Sequence, residues 1–292
     1  MKLTELIKQG TGTISRLYPE REAREMVLAY LCHTLGITRH THLTEPSYEV
    51  PDESLDTISS DMKRMASGEP LQYVTGQAHF YGREFRVTPA VLIPRPETEL
   101  LCRMALDTLP DDAKVLDLCT GSGCVAWTMA LEKPDAEVIA VDISEDALEI
   151  AAGQEFAAEM RQTGALAPHF IGADVLSDSL PEDLPARRFD LILSNPPYVM
   201  DKEKALMRSN VLDHEPHLAL FVPDDDPLIF YRSIARHAAS LLKDSGICIV
   251  EINEALGPET AAVFAEAGFA DTRISFDLAD RPRYVAARRA CR

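Results

Sequence analysis

Four consecutive residues, Asn195-Pro196-Pro197-Tyr198, carry the clearest chemical signal in this chain. They follow the apolar run Phe189–Ser194, which reads as a buried strand. An N-P-P-Y segment at the end of such a strand suits methyl transfer onto a planar nitrogen, either an amide or an exocyclic amine. The lone pair of that nitrogen is delocalised into the π system, so it is a poor nucleophile. A general base helps little, because the nitrogen attacks before it loses a proton. Two fixed acceptors help more. The Asn195 side-chain oxygen and the Pro196 backbone carbonyl can hold both N–H hydrogens and leave the lone pair aimed at the methyl donor. The prolines fix φ and so hold that carbonyl in place. Pro197 continues the grip on the substrate, and Tyr198 can lie against the flat face of the acceptor group. This is catalysis by positioning and preorganised dipoles. The plain alternative is a turn after a strand, which Asn-Pro commonly opens.

A second motif lies upstream. The segment VLDLCTGSGCVA at 115–126 reads as a strand, a loop of small residues and a helix start. In the loop Cys119-Thr120-Gly121-Ser122-Gly123, the glycines let a ligand approach the backbone closely. The pattern is not G-x-G-x-x-G, and no Lys-Ser/Thr follows, so neither a dinucleotide fingerprint nor a P-loop is supported. Asp117 at the strand end suits a cationic amino group, such as the one on the methionine tail of S-adenosylmethionine. A second strand, Glu137–Val141, ends in Asp142, about where a βαβ nucleotide site places the carboxylate that takes the ribose hydroxyls. A third, His169–Ala173, ends in Asp174, which with Val175 is placed to meet the adenine edge. Asp142 could also serve simply as a helix cap.

These residues need a scaffold, and the pattern supplies one. Apolar periodicity predicts helices over 97–109, 122–132, 144–161, 227–243 and 257–267, alternating with strands over 114–118, 137–141, 168–172, 189–194 and 246–252. That alternation implies an α/β domain with a parallel sheet. The runs 271–276 and 283–287, joined by a short connection, should form an antiparallel hairpin at the sheet edge. Such a terminal hairpin is usual in S-adenosylmethionine methyltransferases. Residues 1–75 read as a helical domain: Glu20–Leu35 has helical spacing and stops at Gly36, and Leu55–Ala66 is a second candidate. Between the two lies a hairpin linker, 76–95, in which 78–93 alternates around Tyr81-Gly82. The α/β domain, which carries all of these site residues, is then 96–292.

Composition narrows the function classes. The net charge of −18, with no basic stripe or arginine-rich tail, argues against a nucleic-acid partner, whose phosphates demand Lys and Arg. No run approaches the roughly 18 apolar residues of a membrane span, and the first eight residues are short and amphipathic, so a cytoplasmic protein without a membrane partner is expected. The six cysteines (32, 102, 119, 124, 248 and 291) contain no C-x-x-C and suggest reduced thiols. No metal site is expected. His214-Glu215-Pro216-His217 has no Cys/Asp cluster beside it, and Asp224-Asp225-Asp226-Pro227 reads better as an N-cap Asp with Pro at the first helical position.

With these residues in view, the chain resembles the N5-glutamine methyltransferases of peptide-chain release factors, the HemK/PrmC type. The resemblance spans nearly the whole chain. Its most specific stretches are Glu69–Gly76, Phe80-Tyr81-Gly82 and the L-I-P-R-P-E-T-E run at 92–99, with Glu215–Leu220 and Phe230-Tyr231-Arg232 downstream. N-P-P-Y alone is shared with DNA, RNA and protein methylases. The resemblance implies a class I S-adenosylmethionine-dependent fold with a small N-terminal helical domain, and S-adenosyl-L-methionine as cofactor. It also implies, as protein substrate, the glutamine of the Gly-Gly-Gln loop of a release factor. It places Arg95, Glu97 and Thr98 near the site without assigning their roles. Two positions depart from the family pattern. The first glycine of D-L-G-T-G-S-G is Cys119 here, which would be strained if that site needs φ > 0. E-I-G-x-x-Q appears as Glu251-Ile252-Asn253-Glu254-Ala255-Leu256. The other readings are an N6-adenine methylase acting on a flipped base and a non-catalytic binding module that keeps the methyltransferase fold.

Overall fold

The computed structural model describes residues 1–181, 184 and 189–289. Cys291 lies outside the described residues. The chain divides into two compact units, one of Met1–Gln77 with Met207–Glu215, the other of Ala78–Leu206 with Pro216–Arg292.

The first unit is helical: α1 (Leu3–Ile14), α2 (Glu20–Leu35), α3 (Thr41–Thr44), α4 (Asp52–Ala66) and α5 (Leu71–Thr75). On α1 the buried residues Leu3, Leu6, Ile7, Gly10 and Ile14 fall at helical spacing. They pack against Val27, Tyr30 and Leu31 of α2 and Ile58 and Met62 of α4. Gly10 allows the close crossing, since a Cβ there would stand 3.0 Å from Met62 Sδ and 3.2 Å from Val27 Cγ1. Gly36, at φ +63°, ends α2. Arg208 holds the returning segment to α2 through Glu22, 3.1 Å away.

In the second unit, β1 (Gln77–Phe80) and β2 (Arg83–Arg86) form a hairpin, α6 (Pro96–Leu106) follows, and β3 (Lys114–Leu118) opens the sheet. Then come α7 (Cys124–Glu132), β4 (Glu137–Asp142), α8 (Glu145–Ala152), α9 (Ala157–Thr163), β5 (His169–Gly172), β6 (Phe189–Ser194) and β7 (Val199–Met200). The single turn α10 (Ser209–Leu212) belongs to the first unit. β8 (Phe221–Val222), α11 (Ile229–Leu241), β9 (Leu242–Glu251), α12 (Gly257–Glu266), β10 (Phe269–Phe276) and β11 (Pro282–Arg289) complete the chain.

The seven-stranded sheet runs β10-β11-β9-β6-β3-β4-β5. β5, β4, β3, β6 and β9 pair in parallel, and β11 pairs antiparallel with both β9 and β10, which makes the terminal hairpin the sheet edge. Strand order reverses between β3 and β6, so their carboxyl ends form the switch point where α/β sheets bind ligands. Period-two alternation divides the core. Val115, Leu191, Leu193 and Ile249 face a cluster built on α6 and α7, whereas Leu116, Ile192, Cys248 and Val250 face one built on α11 and α12. The hairpin joins the first cluster through Phe85, whose ring centroid lies 5.0 Å from Phe156; Phe156 in turn lies 5.2 Å from Trp127.

Several elements differ from the sequence expectation. The helix expected over 144–161 is two, α8 and α9, broken at 153–156. There Gln154 turns inward, accepts from the Arg86 N–H (2.8 Å) and donates to the Arg86 and Ser122 carbonyls (3.0 Å each), tying the hairpin to the glycine loop. The expected hairpin region 78–93 is strand only to Arg86. The strand expected from 246 begins at Leu242, with a bulge against β6, so α11 ends earlier than 243. No Asp-Pro cap starts α11. Its N-cap is Leu228, because 224–228 form turns and Asp226 is paired with Arg232. Among the described residues, no helix is long and apolar enough to cross a membrane, and no group of three or more His, Cys, Asp or Glu residues could hold a metal ion.

Candidate active site

The carboxyl ends of β3, β4 and β6 surround a cavity of about 220 Å³. Its wall takes Asp117, Cys119, Thr120, Gly121, Ser122, Asp142, Asp174, Val175, Asn195 and Pro197 from the residues singled out in the sequence, together with Arg95 and Thr98. Gly123, Pro196 and Tyr198 are not on that wall. Ser194 Oγ donates to the Leu118 carbonyl (2.7 Å) and holds the two switch-point strands together at their ends.

The glycine loop leaves β3 with left-handed backbone at alternate residues, Cys119 (φ +62°), Gly121 (φ +55°) and Gly123 (φ +78°). Glycine tolerates this conformation, whereas at Cys119 it is strained. Around Gly121 no atom lies within 4 Å of where a Cβ would be, so the backbone is open to a ligand. The opposite holds at Gly123, the N-cap of α7, where a Cβ would meet Ala151 Cβ at 3.0 Å and Trp127 Cδ1 at 3.1 Å. Gly123 therefore serves close packing between α7 and α8.

Asp117 is buried and accepts from Thr120 Oγ1 at 2.6 Å. Burial pushes its carboxyl up to about 7, helped by the charge of Asp142 and opposed by the hydrogen bonds from Thr120 and the Ala126 N–H. Asp142 accepts from the Gly121 N–H (2.8 Å) and the Ser144 N–H (3.0 Å), and burial raises its pKa despite these donors. It does not cap α8, because Ser144 does so by accepting from the Ala147 N–H. Asp174 accepts from the Leu176 N–H (2.8 Å), while the Val175 carbonyl accepts from Ser233 Oγ (2.5 Å) and pairs with His237 Nε2 (3.0 Å).

Asn195 Nδ2 donates to Thr98 Oγ1 (3.1 Å), and Thr98 Oγ1 donates to Glu251 Oε2 (2.8 Å). The other oxygen of Glu251 accepts from the Tyr198 hydroxyl (3.0 Å). Glu251 is only 1% exposed, and burial raises its pKa against the hydrogen bonds from Thr98 and Tyr198 and the charge of Arg283. Asn253 holds the N-P-P-Y segment in place by donating to the Tyr198 carbonyl (3.2 Å) and to Glu203 Oε2 (2.9 Å). Glu97 contributes its backbone carbonyl, which accepts from Tyr284 (2.6 Å). Glu251 and Phe230, the latter on the cavity wall, were part of the family resemblance but were given no role at the site from sequence. The available signal for Glu251 was the one that marked Asp117 and Asp142, an acidic residue ending a buried strand.

A sheet in this order, with a glycine loop and an N-P-P-Y strand end on one cavity at its switch point, defines the Rossmann-like fold class of the S-adenosylmethionine-dependent methyltransferases. The family model described as methyltransferase small domain matches residues 97–217, and that described as PrmC N-terminal domain matches 5–76. A release factor glutamine methyltransferase from Bacteroides thetaiotaomicron is 37% identical over 99% of this chain and 99% of its own length. Another, from Neisseria gonorrhoeae, is 40% identical over 91% of this chain and 92% of its own. A solved protein-(glutamine-N5) methyltransferase (release factor-specific) from Alicyclobacillus acidocaldarius is 27% identical with a TM-score of 0.42, over 70% of this chain and all of that one. The chain belongs to the release factor glutamine methyltransferase family.

Proposed function

We propose that this protein methylates the side-chain amide nitrogen, N5, of the glutamine in the Gly-Gly-Gln motif of a peptide chain release factor. The observation that carries the reading is Asn195. Its amide nitrogen is held by Thr98, so its oxygen is left as the acceptor on the cavity wall. With the Pro196 carbonyl, that oxygen would accept both N–H hydrogens of the substrate amide and leave the lone pair directed across the cavity. Tyr198, its hydroxyl taken by Glu251, would offer its ring to the flat face of the amide. No buried general base is assigned, and the proton is released to water.

The donor set fits S-adenosyl-L-methionine. Asp117 suits the cationic amino group, Asp142 has lone pairs left for ribose hydroxyls, Asp174 and Val175 suit the adenine edge, and the backbone of Cys119–Ser122 can come close. When bound, that cofactor supplies a methyl group on a positively charged sulfur. The helical unit would dock the release factor, since every residue given a chemical role lies outside it.

The test is methylation of an intact release factor with S-adenosylmethionine, followed by mass spectrometry of the Gly-Gly-Gln peptide. One added methyl on that glutamine is expected. Asn195→Ala should lower turnover by about 10²–10³-fold while cofactor affinity holds. An unmodified glutamine, or a methyl on another residue or on an adenine-containing oligonucleotide instead, overturns the reading.

A further inference from the structure

Glu251 is absent from the cavity wall, yet it governs a group that is on it. We infer that Glu251 is a positioning residue that dictates, through Thr98, which end of the Asn195 amide faces the substrate. This rests on the function proposed above for the same site.

A carboxylate only accepts, and Glu251 receives one hydroxyl on each oxygen, Thr98 at 2.8 Å and Tyr198 at 3.0 Å. A threonine hydroxyl has one hydrogen. Once Thr98 gives it to Glu251, the remaining partner of Thr98 must be a donor. That partner is Asn195, 3.1 Å away, so the amide presents Nδ2 to Thr98 and Oδ1 to the cavity. An amide turned the other way would face Thr98 with a second acceptor and the substrate with two donors. Asn195, Thr98 and Glu251 lie on three separate elements, the end of β6, the first turn of α6 and the end of β9, so their meeting is a product of the fold. Burying a carboxylate is costly unless its oxygens are hydrogen-bonded. A glutamine of the same shape would be cheaper to bury, but it cannot accept from both hydroxyls.

The same counting fixes the outcome of Glu251→Gln. If the glutamine oxygen faces Thr98, the amide of Asn195 keeps its direction but the Tyr198 hydroxyl loses its acceptor. If the glutamine nitrogen faces Thr98, all three contacts are kept with one N–H to spare: Tyr198 donates to the glutamine oxygen, the glutamine donates to Thr98, and Thr98 donates to Asn195. The second arrangement wins, because an unmet buried polar group is expensive. It reverses Asn195, so the variant should stay folded with its active amide inverted.

The experiment compares wild type with Glu251→Gln, using [15N]asparagine labelling and Asn195→Ala to assign the side-chain amide signals. Expected are a displaced Asn195 NH2 signal, a kcat on release factor lowered about 10²-fold, and a melting temperature and S-adenosylmethionine affinity close to wild type. The signal reads the amide without any assumption about substrate, so the inference stands or falls even if the release factor is not the acceptor. A second pair guards against misfolding. Thr98→Val should displace the same signal and lose activity, and Thr98→Ser should restore both. An Asn195 signal unmoved by Glu251→Gln, or a Thr98→Val variant as active as Thr98→Ser, overturns the inference.

Discussion

Cys119 stands in left-handed backbone at φ +62°, where the family pattern has glycine. A residue with a Cβ loses about 1–2 kcal/mol there, part of which glycine gives back through its freer unfolded chain. Cys119→Gly should therefore be more stable than Cys119→Ala by about 1 kcal/mol in urea titrations, since both remove the thiol and only one relieves the backbone. Equal midpoints would mean that the loop carries no strain. Asp117 makes a prediction in pH. Its carboxyl titrates near 3.8 when unfolded and near 7 when folded, so between those values the folded chain holds a proton that the unfolded chain has released. Stability of the ligand-free protein should thus fall as pH rises from about 4 to 7, and Asp117→Asn should flatten that slope in thermal melts. Affinity for a cationic ligand should run the opposite way, rising as Asp117 ionises, as calorimetric titration at pH 6 and 8 would show. A wild-type slope in Asp117→Asn would count against Asp117. At this scale the strand-end acids and N-P-P-Y were legible because each is local: one strand, then one polar residue. The partnership of Glu251 and Thr98 with Asn195 was not, because it joins residues far apart in the chain that only the sheet order brings together.

Strand and helix boundaries followed the same logic. β3 and β6, largely buried and mostly apolar runs, match their expected limits of 114–118 and 189–194. Helix α8 ended early for a reason no periodicity carries: Gln154 is needed inside, where it serves both the Arg86 backbone and Ser122. Gly153 was the one hint in the sequence. The α7–α8 crossing yields a paired prediction. Gly123→Ala forces a Cβ into Ala151 and Trp127, a clash of a kind that costs about 1–3 kcal/mol. Gly121→Ala has open space and meets only the left-handed backbone penalty of about 1–2 kcal/mol. Gly123→Ala should unfold at the lower temperature, yet Gly121→Ala should weaken S-adenosylmethionine binding more, because its methyl stands where the ligand approaches. The reverse ranking in both assays would misassign the two glycines.

At the scale of the molecule, two units raise the question of what the helical one is for. A specific protein contact buries about 800 Å² on each partner, more than a cleft of this size offers to one side chain and its loop. A variant lacking 1–77, with 207–215 replaced by a short Gly-Ser bridge, should keep cofactor affinity and methylate a Gly-Gly-Gln peptide, but lose most activity on the whole release factor. If that variant folds and treats the intact factor as the full chain does, the docking role fails. Deleting the N-terminal segment alone would be a poorer experiment, because 207–215 would be left without the helices it packs on.

That returning segment also sets an order of events during synthesis. The helical unit is first in sequence, but it is not complete when residue 77 leaves the ribosome. Residues 78–206 must be made before 207–215 appear. At about 5–20 residues per second, the wait is on the order of ten seconds. Throughout that interval the nascent helices lack the Arg208–Glu22 pairing, and the sheet has at most β3 to β6, without β9, which later pairs with β6, and the hairpin beyond it. Both units therefore close late, within the last third of translation, and a chain stalled before residue 207 would expose two unfinished surfaces to chaperones and proteases.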